Sequence, residues 1–440
     1  MLFTLWFINL IVWCTAQKQN FLLIIVDDLR TALGCYGDAK AYTPNIDRLA
    51  TGAAIFSQQA LCAPSRNSFL TSRRPDTLHL YDFYSYWRKD IGNFTTLPQH
   101  LKNNGYITKS VGKVFHPGIS SNNSDDSPYS WSETPFHPFT ERYKDAPMCQ
   151  TNMQMLPAQN LLCPVKVSSM PNKTLPDIEI LREAKTFLSN QVGNSSPFFL
   201  AVGFQKPHIP FKYPKKYLKS FARLIIQSYY ASVTYIDDLI GTLINHLERL
   251  SIRGDTTIIL MSDHGWSLGE HAVWAKYSNY DVALKVPLII FIDSIVELVD
   301  IFPTIADLAN ISIPICSNES TQITCSEGIT FIPLIRAALK DEAAFAQYPR
   351  PSIEPSIHPN SDEPRLKEIK AMGYTLRTNT YRYIAWLSFN PETMSPNWNN
   401  IIAEELYDYS YDKGENQNVA FLEEYAKLKE KLKILFKFYI

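Results

Sequence analysis

Two runs in this chain climb through apolar residues and stop on acid. Phe21–Val26 ends at Asp27-Asp28, and Thr256–Met261 ends at Ser262-Asp263-His264. A strand with both faces buried shows no polar alternation, so such runs belong inside a parallel sheet covered by helices on both sides. Ile107–Val114 and Phe198–Phe204 read as further strands, and Pro287–Ile292 as a third run of the same buried kind. Between them, apolar residues at 226, 229, 230, 233, 236, 240, 243, 244 and 247 repeat at helical spacing and predict one long amphipathic helix over 225–250. Pro44–Ala50 predicts a short helix with proline in its first turn, and 295–310 another helix.

Strands alternating with helices define an α/β fold, a mostly parallel sheet sandwiched by helices. Residues 315–372, rich in Pro, Ser and charge, read as irregular connection. Beyond them Tyr374–Leu387 and Glu405–Tyr409 are strand-like, and a charged helix is expected from about 420 to 437. A chain of 440 residues divides naturally into two domains. The expectation is a catalytic domain over 17–335 and a smaller C-terminal α+β domain over 336–440.

Residues 1–16 are apolar, end in small residues and carry no charge, which predicts a secretory signal peptide. The run is shorter than the roughly 20 residues that span a bilayer, and the apolar stretch 286–311 is broken by Asp293, Glu297, Asp300 and Asp307. No membrane span is therefore expected after signal cleavage. Six N-x-S/T sequons, at Asn93, Asn122, Asn172, Asn194, Asn310 and Asn318, fit a secreted glycoprotein. Cys149/Cys163 and Cys316/Cys325 are spaced to close short loops by disulfides in an oxidising compartment. Cys35, in a Gly-Cys-Tyr-Gly turn, is expected to be a buried free thiol. Lys plus Arg number 42 and Asp plus Glu 43, a net charge of −1, which lacks the basic excess of a nucleic-acid binder.

Acidic groups at two strand ends meet where ligands gather in open parallel sheets. Carboxylates converging there repel unless a cation lies between them, and their oxygens suit a hard divalent ion, Ca²⁺ or Mg²⁺. The third element is Cys62-Ala-Pro-Ser-Arg66 at the start of a helix-like stretch. A helix N-terminus favours the thiolate, so Cys62 by itself reads either as a nucleophile of lowered pKa or as a structural cysteine.

Cys-x-Pro-x-Arg is the signature at which sulfatases have their cysteine oxidised to formylglycine. With it stand LLIIVDDLR, RRPDT, LYDFYSYWR, SVGKVFHPGISS, DDSPYSW, FFLAVGFQKPHIPF, SDHGWSLGEH, WAKYSN, QYPRP, MGY and ELYD. From about Asn20 to Gln417 the chain resembles the sulfatases of the alkaline-phosphatase superfamily, and among them the iduronate branch. The resemblance implies one Ca²⁺ held by Asp27, Asp28, Asp263, His264 and the modified Cys62. It implies that Lys113 and His116 flank sulfate and nucleophile, that Lys276 binds sulfate, that His208 stands near the leaving oxygen, and that Arg66 holds the formylglycine. Trp266, Tyr277 and Arg350 are candidates for the sugar pocket, with core packing the rival reading for the two aromatics.

The implied chemistry has a physical reason. A sulfate monoester is anionic and a poor electrophile, so metal and lysines must neutralise its oxygens. A hydrated aldehyde attacks through one hydroxyl, His208 protonates the leaving alkoxide, and the second hydroxyl, deprotonated by His116, expels sulfate. The implied substrate is the 2-O-sulfate of iduronate in heparan sulfate and dermatan sulfate. The implied biosynthetic partner is the formylglycine-generating enzyme, and the implied location is lysosomal or secreted. Rival readings are a sulfatase for another sulfated glycan or aryl sulfate, and an inactive glycan-binding relative.

Four departures from the family pattern stand out. Ser72 replaces a usual glycine, stretches are missing near 220–224 and 292–295, and Glu363 stands where the iduronate branch has a lysine facing the uronate carboxylate. Arg350 and Arg365 are cations near it in sequence.

Overall fold

The computed structural model describes residues 18–49, 53–147, 149–151, 154–158, 161–218, 224–289, 296–317, 322–333, 343–353 and 364–439. The expected signal peptide at 1–16, Asn318, the shortened stretches near 220–224 and 292–295, the 335/336 boundary and Glu363 lie wholly or partly outside them.

The main sheet is built from β1 (Asn20–Val26), β2 (Ala53–Phe56), β3 (Ile107–Gly112), β4 (Phe198–Phe204), β5 (Thr256–Ser262), β6 (Lys285–Ile289) and β7 (Val296–Glu297), in the order β7-β2-β6-β5-β1-β4-β3. β1 lies at its interior, parallel to β4 with Ile24 beside Val202 and parallel to β5 with Ile24 beside Leu260. The unbroken apolar run of β1 now has its cause. Leu22, Ile24 and Val26 enter the core on one face, and Phe21, Leu23 and Ile25 enter the core on the other.

The helices that cover these faces are α1 (Pro44–Leu49), α2 (Cys62–Thr71), α3 (Leu97–Asn103), α4 (Pro176–Asn190), α5 (Leu224–Arg249) and α6 (Ile301–Leu308). α5 buries Tyr229, Val233, Ile236, Ile240, Leu243 and Leu247 on the first face, the stripe its spacing predicts. α2, α3 and α6 cover the second with Phe69, Leu97, Leu101, Phe302 and Ile305.

Three expectations are corrected. The run from Pro287 forms β6, but β6 pairs antiparallel with both β2 and β5. No crossover helix intervenes between β5 and β6, and a parallel connection needs one. The helix expected over 295–310 begins as β7 and a 3-10 turn, so α6 starts only at Ile301. The stretch expected to be irregular contains β8 (Ala344–Arg350), which pairs antiparallel with β9 (Ala371–Arg377). β10 (Tyr381–Asn390) and β11 (Ser395–Asp408) complete a four-stranded antiparallel sheet. α7 (Ala426–Tyr439) packs Leu432 and Phe436 onto its core.

Cys149–Cys163 and Cys316–Cys325 are disulfides, as the spacing predicts. Cys35 is free but only half-buried, because its turn lies at the protein surface. Ser72 ends α2 in the left-handed region at φ 50°, which explains the glycine usual there. Its hydroxyl compensates by bonding the Val299 carbonyl and Ser326 Oγ. The five sequons at Asn93, Asn122, Asn172, Asn194 and Asn310 are exposed. Among the described residues no helix is long and apolar enough to cross a membrane.

Ile24 is fully buried between two parallel neighbours. Truncation to alanine leaves a cavity that the sheet cannot close, so Ile24→Ala is expected to lose about 2–5 kcal/mol in urea denaturation.

Candidate active site

Sheet geometry gathers the site. β1 delivers Asp27 and Asp28 beyond its carboxyl end, and neighbouring β5 delivers Asp263 and His264. Asp28 sits at φ 63°, a left-handed turn that redirects the chain out of the strand. Cys62 opens α2 and is buried, and Arg66 lies one turn further on the same helix, fully buried.

Side-chain atoms of Asp27, Asp28, Cys62 and His264 all lie within 4.8 Å of one another. Asp263, read in the sequence as a further metal ligand, stands beside this set. Its Oδ2 accepts Arg66 Nε at 2.8 Å, and its Oδ1 accepts the backbone N–H groups of Asp28 and His264. Arg66 also donates to Asp27 Oδ1 at 3.1 Å and to the Lys113 and Val114 carbonyls. One guanidinium thus ties together β1, β5 and the loop after β3.

Three ammonium or imidazole groups close on Cys62 Sγ. Lys276 Nζ lies at 2.9 Å, His264 Nε2 at 3.2 Å and Lys113 Nζ at 3.5 Å. The lysines also pair with the carboxylates, Lys276 with Asp28 at 2.9 Å and Lys113 with Asp27 at 2.5 Å. Sγ marks the place where the oxygens of a modified side chain would sit.

The electrostatics follow from these contacts. Burial alone would raise the Asp27 carboxyl, but Lys113, His208, Arg66 and Lys276 hold it well below the usual carboxylate range. Burial raises Asp28, which Lys276 only partly offsets while Asp27 repels it. The lowered thiol expected of Cys62 from the helix N-terminus is overturned. Burial pushes it up to about 12, and Lys113 and Lys276 do not overcome that cost. Without a bound cation, burial therefore favours the neutral thiol at an unmodified Cys62.

The donor set fits a metal ion. Asp28 Oδ2 is buried without a hydrogen-bond partner, the state of a carboxylate oxygen left for a cation. Asp27, Asp28 and Asp263 are matched by the permanent cations Arg66, Lys113 and Lys276, so a divalent ion makes the site net positive, as an anionic ester requires.

The structure brings most of the predicted residues together. His208 Nε2 lies 4.0 Å from Asp28 Oδ2, and its Nδ1 is 2.6 Å from the Ile209 carbonyl. His116 packs its ring on Phe83 at 4.5 Å, with Nδ1 buried and without a hydrogen-bond partner. Burial and the neighbouring Lys113 lower both histidines well below their ordinary value, so both are neutral. A cleft of about 680 Å³ opens beside them, lined by Asp27, Lys113, His116, Lys206 and His208.

Trp266 is buried in the core against Phe211, with Lys276 Nζ 5.7 Å from its ring. Tyr277 packs with Tyr348 and Trp386, and Arg350 lies over the Trp386 ring at 4.4 Å. Tyr277, from the loop that carries Lys276, thus packs against the same face of the C-terminal sheet on which Arg350 lies. Arg365 stacks on Tyr84 at 4.0 Å, next to the Phe83 that backs His116. Sequence reasoning assigned nothing to Lys206, whose Nζ holds the His208 carbonyl at 2.5 Å, or to Asp177, whose Oδ1 accepts the Gln205 N–H at 2.6 Å. Lys206 was visible only as a neighbour of His208, and Asp177 carried no motif.

The sulfatase family model matches residues 19–311. The chain belongs to the sulfatase family, the sulfuric ester hydrolases. It is 42% identical to human (Homo sapiens) iduronate 2-sulfatase, over 92% of each chain. It is also 42% identical to the mouse (Mus musculus) iduronate 2-sulfatase, over 91% of this chain and 90% of that one. Its fold superposes on a phosphonate monoester hydrolase of Agrobacterium radiobacter with TM-score 0.72, at 19% identity and 96% coverage of both.

Two outcomes are expected from this geometry. Arg66→Ala takes the guanidinium from buried Asp263 and leaves Asp27 to Lys113, so it should cost about 3–5 kcal/mol, read as a fallen midpoint in denaturant. Asp177 is raised by burial from 3.8 to about 6. The native state then holds its proton more tightly than the unfolded chain does. Stability from this group falls as pH rises from about 4 to 6, and the loss is complete above that. Unfolding free energies of Asp177→Asn across that window should lack this decline, and an unchanged slope would refute it.

Proposed function

We propose that this chain is a Ca²⁺-dependent sulfatase of the secretory pathway, lysosomal or secreted. It removes the 2-O-sulfate from iduronate in heparan sulfate and dermatan sulfate. The observation that carries the reading is the convergence of Lys113, Lys276, His264 and two aspartates on Cys62, inside a Cys-x-Pro-x-Arg motif. The choice of sugar rests on the 42% identity to the human iduronate enzyme. The same reading divides the chain into a catalytic domain over 17–335 and a smaller one over 336–440.

Asp27, Asp28, His264 and position 62 would hold the ion, with Asp263 beside them. Oxygen donors and buried carboxylates favour Ca²⁺. When bound, the ion polarises the sulfate and acidifies the hydroxyl facing it. Position 62, oxidised by the formylglycine-generating enzyme and hydrated, supplies an oxygen nucleophile with a second hydroxyl beside it. A thiol pushed up to about 12 could not substitute for it at physiological pH.

The chain's own residues do the rest. Lys113 and Lys276 grip the sulfate oxygens and hold sulfur in line with the nucleophile. Arg66 fixes Asp27 and Asp263 so that the cluster does not relax when the ester binds. His208 gives a proton to the leaving alkoxide, and neutral His116 takes one from the second hydroxyl. Tyr277 and Arg350 lie on the patch that meets the sugar, with Trp266 behind Lys276.

The test is sulfate release from a 2-O-sulfated iduronide, using protein made in cells that generate formylglycine. Release by the wild type, and none by Cys62→Ala, is the expected result. No release by a folded wild type would remove the iduronate assignment. Because His208 is lowered well below its ordinary value, its acid form is populated only at low pH. The rate should therefore climb as pH falls below neutral, and an optimum above pH 7 would contradict His208 as the acid. Chelation should abolish turnover, and added Ca²⁺ should restore it.

A further inference from the structure

Lys276 is held in the cluster by a loop that its own backbone does not favour. Ala275 has φ 71° and Tyr277 φ 26°. Side-chain-bearing residues keep such conformations only where the surroundings enforce them. Ala275 pairs with Ser267 in a short antiparallel hairpin, and the residues that follow Lys276 are held from the C-terminal sheet. Arg382, on β10, is fully buried, and its guanidinium reaches past its own sheet to this loop. Its Nη1 donates to the Asn279 carbonyl at 2.8 Å and to Thr375 Oγ1 at 3.1 Å. Its Nη2 pairs with Asp281 Oδ1, and its Nε pairs with Glu415 Oε1 at 2.6 Å.

Glu415 returns to the same loop, accepting the Asp281 backbone N–H on Oε2 at 2.9 Å. Asn279 Nδ2 donates to the Gly373 carbonyl on β9 at 2.8 Å. The contacts to the loop fall on Asn279 and Asp281, three to five residues after Lys276. The charges are mutually satisfied, Arg382 against Asp281 and Glu415 with Arg377 also pairing Asp281 at 3.4 Å, which is the condition for keeping a buried guanidinium.

We propose that Arg382, clamped between Asp281 and Glu415, is a positioning residue for Lys276. Through it the C-terminal sheet sets the place of an ammonium that grips sulfate. The proposal rests on the sulfatase reading of Lys276, and it makes the C-terminal sheet part of the catalytic apparatus without any contact to substrate. Planar, forked donors are needed, because Arg382 serves a carbonyl and two carboxylates at once. Lysine presents a point charge and cannot span them.

The test is a double-mutant cycle in the full chain with inorganic sulfate as probe, read by calorimetry and by turnover. Arg382→Lys and Asp281→Asn each remove part of the clamp, and each is combined with Lys276→Ala. In the Lys276 background, each is expected to weaken sulfate binding about tenfold or more, with kcat/KM falling in step. In the Lys276→Ala background the same substitutions should change sulfate affinity by less than twofold, since the group they position is gone. A merely structural clamp lowers both backgrounds by the same factor, and that result overturns the proposal. Asp281→Asn keeps the shape of the site and covers the case where Arg382→Lys does not fold. If wild type binds sulfate but does not cleave the iduronide, only the iduronate assignment falls and the cycle still decides the clamp. If it neither binds nor cleaves, the sulfatase reading and this proposal fall together.

Discussion

The architecture turns on buried charge at the carboxyl ends of β1 and β5. Asp27, Asp28 and Asp263 are brought together by strand pairing, in a place where water cannot solvate them. Left alone they would repel one another and undo the sheet that assembles them. Arg66 meets this constraint from the first turns of α2, bonding acids on both strands and carbonyls of the loop after β3. Lys113 and Lys276 complete the balance. The groups that make the fold tolerable are therefore the groups that surround Cys62.

This coupling explains why the site is assembled from distant parts of the chain. The ionic groups come from several elements: two strand ends, a helix start, the loop after β3 and the loop before β6. Position 62 is pinned by the helix it opens. Lys276 is pinned by a loop gripped from the C-terminal sheet. Preorganised charge is worth most in such a dry, rigid setting, because little reorganisation is left for the moment of reaction.

Much of the fold was legible in order. The run Phe21–Val26 could be nothing but a two-face buried strand, and the stripe along 225–250 could be little else than a sheet-covering helix. Where reading failed, the deciding contact was non-local. The antiparallel sense of β6 depends on how the chain returns from the site loop, which hydropathy does not encode. β8 looked irregular because its Pro and charge are tolerated at the edge of a sheet that only β9 completes. The charge state of Cys62 was misread from its helix position. Depth of burial, a tertiary quantity, outweighs the helix terminus.

The sequence by itself determined the chemistry. The acids at the ends of two strands pointed to a cation site, and the resemblance carried by the motifs around Cys62, Arg66, Lys113, His116, His208 and Lys276 implied a site for an anionic ester. Tertiary structure decided what each does in place. It set Asp263 on Arg66 beside the four donors that converge, and sent Trp266 into the core. It joined Arg382 to a loop about a hundred residues away in sequence. Local motifs carry the identity of a group, whereas its partners, its burial and hence its charge are set by which strands and loops pack against it.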